Sequence, residues 1–162
     1  MLQHLLVQEF KRRVFIESYP RIFKCVDLLS DDQLWHRPNA NTNSVANLIL
    51  HLHGNMRQWM MTTFNGNEDI RKRSEEFEIE KRIPKKELIS LLLDLKEELE
   101  EILDTISKKD LERSYKVQVY MENGVSIFVH VIEHFSYHTG QIALLTKLLC
   151  DKDLEFYPYS LE

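Results

Sequence analysis

The sequence predicts an all-α protein, a four-helix bundle with one long crossover between its second and third helices, and three observations carry that expectation. Only four glycines and four prolines interrupt 162 residues. Apolar side chains recur in steps of three and four over long stretches, the spacing of one helix face rather than the period two of a strand. The stretch from 68 to 83, "EDIRKRSEEFEIEKRI", is too charged to make a core helix and reads as a connector between two helix pairs. A chain of this length fits one hydrophobic core, since domains commonly run to roughly 100 to 200 residues, so a single domain over 1–162 is expected.

The first helix should run from about Leu2 to Leu29, with Leu2, Leu5, Leu6, Phe10, Val14, Ile22, Cys25 and Val26 or Leu29 at helical spacing. Pro20 lacks an amide proton and should kink or restart it. Ser30 then offers an N-cap to a short turn with acids behind it. After the loop "RPNANTN", Asn43 or Ser44 caps a second helix from about Ser44 to Thr63. "NGN" at 65 to 67 closes it. Its buried stripe reads Val45, Leu48, Ile49, Leu52, Met56 and Trp59.

The third helix starts at Pro84, a residue suited to the first turn, and buries Leu88, Leu92, Leu95, Leu99, Ile102 and Ile106. "YKVQVYMENG" alternates in period two and reaches the turn dipeptide Asn123-Gly124, so a short extended segment or irregular loop is expected between Ser114 and Val125. The fourth helix should span about Ser126 to Leu149. Its predicted stripe is Ile127, Val131, His134, His138, Ile142, Leu145 and Leu149. The tail "FYPYSLE" leaves helical patterning.

Composition narrows the function. The net charge is −5, which argues against a basic face gripping nucleic acid. The clusters "KRR" (11 to 13) and "RKR" (71 to 73) are each followed by acids and read as solvated faces. No apolar run approaches the roughly 18 to 20 residues that span a bilayer, and the N-terminus mixes charge into its apolar positions, so neither a membrane anchor nor a signal peptide is expected. Cys25 and Cys150 lie far apart with no C-x-x-C pair. They read as buried reduced thiols of a cytoplasmic protein.

Histidines are what a bundle core does not need. One buried histidine is ordinarily a satisfied core residue, but His134 and His138 sit at i and i+4 in a stripe of leucine, isoleucine and valine. Side chains so spaced stack on one helix face and can converge on one divalent ion, which satisfies both lone pairs. A third ligand can come from "HLHGN" on the second helix, where His51 and His53 flank the buried stripe on opposite sides. Periodicity leaves that choice open. His130 falls at the edge of its stripe, His4 and His36 read as surface or helix-edge residues, and Glu133 reads as solvated. There is no H-E-x-x-H, no phosphate loop and no nucleophile elbow.

"NSVANLILHLHGNMRQW" (43 to 59) followed by "HVIEHFSYHTGQIALLTKLL" (130 to 149) resembles the DinB/YfiT-like superfamily of bacterial four-helix bundles, which includes thiol-dependent transferases. "ESYPRIFKCVDLLSDDQLWHRPN" (17 to 39) and "RKRSEEF" (71 to 77) extend the similarity over nearly the whole chain. In that superfamily one metal-binding histidine comes from an H-x-x-G-N-type segment and two from H-x-x-x-H on the last helix. The resemblance therefore implies His51, His134 and His138 as ligands of a divalent ion, zinc or nickel, with His53 on the variable position. It implies a metal-dependent reaction on a small molecule, either transfer of a low-molecular-weight thiol or hydrolysis, and a homodimer for which the aromatic tail "FYPY" (156 to 159) offers an apolar patch. A noncatalytic, stress-related metal-binding bundle is the alternative, and a cluster holding only water is a third. Around the ligands, Asn55 and Gln141 are candidate hydrogen-bond partners. Arg57 is a candidate anion holder weighed against a solvated arginine, and Tyr137 a candidate proton donor weighed against a packed aromatic.

Overall fold

A computed structural model describes residues 1–78 and 82–157 of the chain, and four helical rods dominate it. The first is unbroken over residues 2–28 and consists of α1 (Leu2–Phe10), a π-wound segment (Lys11–Ser18) and α2 (Tyr19–Leu28). Pro20 accounts for the change of winding. It has no N–H to donate and its ring crowds the carbonyl four residues back, so wide turns precede it and the α-helix restarts with proline in its first turn. The Ser18 hydroxyl donates to the Arg13 carbonyl at 2.9 Å, serving a backbone oxygen in the rewound stretch.

The short α3 (Asp31–Trp35) begins at Ser30, whose hydroxyl accepts from the Gln33 N–H while the Gln33 side chain accepts from the Ser30 N–H. The second rod comprises α4 (Val45–Met56), a π-wound segment (Arg57–Thr62) and α5 (Thr63–Asn65). Of the two candidate caps, Ser44 takes the role: its Oγ accepts from Asn47 N–H at 3.1 Å, and Asn47 Oδ1 accepts from Ser44 N–H at 3.3 Å. Gly66 ends the rod at φ +70°, a left-handed conformation that glycine adopts without a Cβ clash.

The crossover carries one 3₁₀ turn (Arg73–Phe77), and residues 79–81 of the charged connector lie outside the described residues. α6 (Lys85–Thr105) starts one residue later than the spacing suggested, with Pro84 as its N-cap. Its Leu88, Leu92, Leu95, Leu99 and Ile102 are buried; Ile106 is buried too, just past the helix end. A short α7 (Lys108–Glu112) follows, which the apolar pattern did not announce.

The period-two stretch forms an antiparallel hairpin, β1 (Ser114–Val117) with β2 (Tyr120–Asn123), in which Ser114 faces Asn123 and Val117 faces Tyr120. Its turn falls at Gln118-Val119, with Gln118 at φ +55°. Asn123-Gly124 is instead the start of α8 (Gly124–Cys150), where Asn123 Oδ1 accepts from Ser126 N–H at 2.9 Å. Gly124 lies so close to the backbone of Asp110 and Leu111 that a Cβ there would collide with both.

α8 is the central rod, packing on the first rod at one side and on α4 at the other, while α6 packs on α4. Edge-to-face Phe10 and Phe128 (5.3 Å between ring centres) and stacked Tyr19 and Phe135 (5.8 Å) occupy the interior. These aromatics rotate α8 from the predicted orientation. Phe128, Val131, Phe135, Thr139, Ile142 and Thr146 are buried along its middle, whereas Leu145 and Leu149 are only half-buried. His134 and His138 therefore stand at the edge of the stripe that meets α4.

Both cysteines are free; Cys25 is buried and Cys150 half-buried. No helix among the described residues is long and apolar enough to cross a membrane. The tail folds back on its own chain, with Leu154 buried, Phe156 half-buried against the core and the Arg21 guanidinium over the rings of Phe156 and Tyr157. Pro158 and Tyr159, the other half of the expected apolar patch, lie outside the described residues.

Candidate metal centre

The second rod and α8 face each other through two antiparallel ladders of side chains four residues apart: His51 and Asn55 on α4 with Trp59 on the π-wound segment beyond it, and His138, His134 and His130 on α8. At one end of the ladder His51, His134 and His138 converge, each offering one ring nitrogen within 4.8 Å of the others. His51 Nε2 and His134 Nε2 are 3.0 Å apart. The ring centres of His51 lie 4.9 Å from His134 and 5.0 Å from His138, and those of His134 and His138 are 4.4 Å apart. His51 and His138 are buried and His134 half-buried.

Hydrogen bonds fix two of these rings. His138 Nδ1 lies 2.7 Å from Gln141 Oε1, so a neutral ring donating there turns its Nε2 lone pair toward the cluster. His51 Nδ1 lies 2.8 Å from Glu76 Oε2, which does the same for His51 Nε2. The donor set fits a divalent ion. Nitrogens bound at roughly 2.0 to 2.1 Å in a tetrahedral site stand about 3.3 Å apart, close to the 3.0 Å between His51 and His134. Among the described residues no fourth histidine, cysteine or carboxylate joins the group.

Burial also keeps His134 and His138 ready to bind. It is the main cause that lowers His134 to about 3, aided by the neighbouring His138, His51, His130 and Arg71. His138 is shifted down, burial outweighing the opposing Gln141 hydrogen bond. His130 is likewise lowered by burial, against Glu133 and Glu122. Neutral rings at physiological pH have lone pairs available for a cation.

The residues singled out from the sequence separate clearly. His51 joins His134 and His138, whereas His53 lies on the other flank of α4, half-buried and lowered to about 4 by burial and by Arg57. Gln141 bonds a cluster histidine as expected, but Asn55 contacts His130 instead, Nδ2 to Nε2 at 3.4 Å, and its own Oδ1 has no partner among the described residues. His130 stacks on Trp59 at 3.7 Å. Arg57 is paired with Glu98 at 2.8 Å, Tyr137 is exposed with its ring edge-on to His138 at 5.0 Å, and His4, His36 and Glu133 are exposed.

Sequence reasoning missed Arg71 and Glu76. "RKR" read as a solvated face, yet the Arg71 side chain is only 6 % exposed and that of Glu76 10 %. Arg71 grips the carboxylate with Nε on Oε1 at 2.6 Å and Nη2 on Oε2 at 2.9 Å. Burial works to raise the Glu76 carboxyl, but its bonds to Arg71 and His51 prevail and the net shift is downward. One signal lay in the sequence: the glycine of "HLHGN". A Cβ at Gly54 would collide with Glu76 Oε1, so the carboxylate as placed occupies space that a side chain at residue 54 would need. Clefts of about 870, 560 and 330 Å³ among the described residues are lined by residues other than the three histidines. The first is walled by His53, Gly54, Arg57, Arg71 and Glu76 on the far face of α4.

The helical bundle that carries this cluster has the fold of solved DinB-like proteins. A DinB-like protein from Bacillus cereus ATCC 10987 superposes with a TM-score of 0.66 over 83 % of this chain and 87 % of its own, at 14 % identity. A second, the DinB-like protein YjoA from Bacillus subtilis, gives 0.65 over 92 % and 94 %, also at 14 % identity. Residues 5–158 match the family described as protein of unknown function DUF1572. The chain belongs to that family, and its fold is the DinB-like one. No curated protein matches its sequence.

Proposed function

We propose that this protein is a metal-dependent enzyme acting on a small molecule, a thiol transferase or a hydrolase, with His51, His134 and His138 holding a divalent ion such as zinc or nickel. One observation carries the reading: three imidazole nitrogens converge and, among the described residues, no fourth protein ligand closes the set. Three protein ligands and a free position mark a catalytic rather than a structural centre. A cation held there lowers the pKa of a bound water or thiol toward neutrality and so supplies a nucleophile. The chain's own part is to hold that centre. Gln141 fixes the His138 ring, and His134 is the least buried of the three.

The test is a panel of thiol and electrophile pairs, with generic esters and amides, assayed with metal-free protein, metal-loaded protein and His134→Ala. Turnover only in the loaded wild type is the expected result. Identical rates in all three support the second reading, a noncatalytic metal-binding bundle. In the same proposal the protein is a cytoplasmic homodimer. Exposed Tyr137, Leu144 and Leu148 on α8 supply an apolar face for pairing, and a monomer in sedimentation at micromolar concentration would remove that part.

A further inference from the structure

We infer that Glu76, delivered by the crossover and clamped by Arg71, is a positioning residue for the metal centre, setting the tautomer and orientation of His51 from behind. This deepens the proposed function and rests on it. Several independent contacts converge on the arrangement. Asn47 on α4 holds the turn's main chain, its Nδ2 donating to the carbonyls of Glu76 at 3.0 Å and Glu78 at 3.3 Å. Arg37 donates to Asn47 Oδ1 at 3.0 Å and to the Phe77 carbonyl. The Phe77 ring rests against the His51 ring, 5.2 Å between centres.

The side-chain clamp comes from the opposite direction. Arg71 Nη1 donates to Gln58 Oε1 at 2.8 Å, and Gln58 Nε2 donates to Asp69 Oδ2 at 2.7 Å, so the guanidinium that grips Glu76 is itself anchored. Glu76 Oε2 accepts from Arg71 Nη2 at 2.9 Å and lies 2.8 Å from His51 Nδ1. Arg71 Nη2 also approaches that nitrogen at 3.2 Å, but it donates to the carboxylate over a shorter distance, so the closer Oε2 assigns the proton to Nδ1. A carboxylate accepting from Nδ1–H commits the ring to presenting Nε2, the nitrogen that faces His134.

A buried ion pair costs desolvation and is weak evidence for stability by itself. Its value here lies in location. Gly54 leaves the gap through which the carboxylate passes, and nothing in the packing of a four-helix bundle calls for an acid at that spot. The charged crossover is thus the outer support of the site.

The test is cobalt(II) and zinc(II) titration of metal-free wild type, Glu76→Gln and Gly54→Ala, with circular dichroism as the folding control. Losing a carboxylate behind a ligating histidine costs roughly 10- to 100-fold in metal affinity. Glu76→Gln should lose that much and shift the visible cobalt bands. Gly54→Ala, which leaves the charge in place but fills the gap, should shift them as well. A folded Glu76→Gln with wild-type affinity and cobalt spectrum, even if it melts earlier, overturns the inference and leaves the metal centre standing.

A wild type that binds neither metal overturns the metal reading and this inference with it. Should neither variant fold, the wild type decides: long-range proton–nitrogen NMR of the zinc-loaded protein should show His51 as the Nδ1–H tautomer, and an Nε2–H ring would refute the assignment.

Discussion

Acidifying the metal-free protein from pH 7.5 to 5.0 should destabilise it, and His53 gives the cleanest measure because it lies outside the histidine cluster. Its folded pKa is about 4, depressed chiefly by burial and then by Arg57, with Glu98, Glu76 and Asp94 opposing. The unfolded value is 6.5. Because the folded value is the lower one, the unfolded chain binds the extra proton. Stability is therefore full above pH 6.5 and is lost as pH falls from 6.5 toward 4. Over the window to pH 5.0 the linkage amounts to at most about 2 kcal/mol, and solvent around a half-buried ring reduces that to about 1 kcal/mol. For a domain of this size about 1 kcal/mol is roughly 2 to 4 °C in Tm.

The assay is thermal unfolding followed by circular dichroism, in chelator, of wild type and His53→Gln at both pH values. His130, His134 and His138 are also shifted down and give losses of the same sign in both proteins, so the difference between the two isolates His53. The lowered carboxyls Glu9, Glu76, Asp110 and Asp153 titrate below this window. His53→Gln should lose about 2 to 4 °C less than wild type on acidification. An identical pH dependence in the two proteins would show that His53 is solvated, and the reasoning from burial would fail.

Three further outcomes are expected. Metal content of purified protein should fall sharply in His51→Ala, His134→Ala and His138→Ala and stay near wild type in His53→Ala, all four keeping their helical circular dichroism. Phe128→Ala should cost about 3 to 5 kcal/mol in chemical denaturation, because the ring is fully buried between Phe10 and Phe64. Gly66→Ala, at φ +70° with open space around it, should cost only the strain of a left-handed residue, about 1 kcal/mol, detectable in the same denaturation experiment.

The rods were legible because their signals are local. Ser30 and Ser44 stand where capping residues stand, Gly66 where a helix must stop, and the leucines of α6 repeat at the spacing that burial requires. The hairpin was less legible for the same reason. Asn123-Gly124 suits a turn and a helix start equally, and only contact with α7, a non-local fact, decides that Gly124 lies against Asp110 and Leu111. The rotation of α8 was also out of reach. Leucines and phenylalanines weigh alike on a helical wheel, and the choice of middle is made by Phe10 and Tyr19 on another rod.

The undecided histidine on α4 shows most clearly where local reasoning ends. His51 and His53 are both one step off the buried stripe, so the wheel ranks them equally, and resemblance alone favoured His51. What separates them is what each flank of α4 meets. The His51 flank meets α8 and the 3₁₀ turn, so its ring is held between His134 on one side and Glu76 on the other. The His53 flank borders the cleft that Arg57 lines. That difference depends on the crossover docking on α4 through Asn47, which Ser44, Arg37 and the carbonyls of Glu76 and Glu78 all engage. A segment whose charge argued against a core role has its buried charges spent on the site, and composition averaged over the segment hid the two residues that matter.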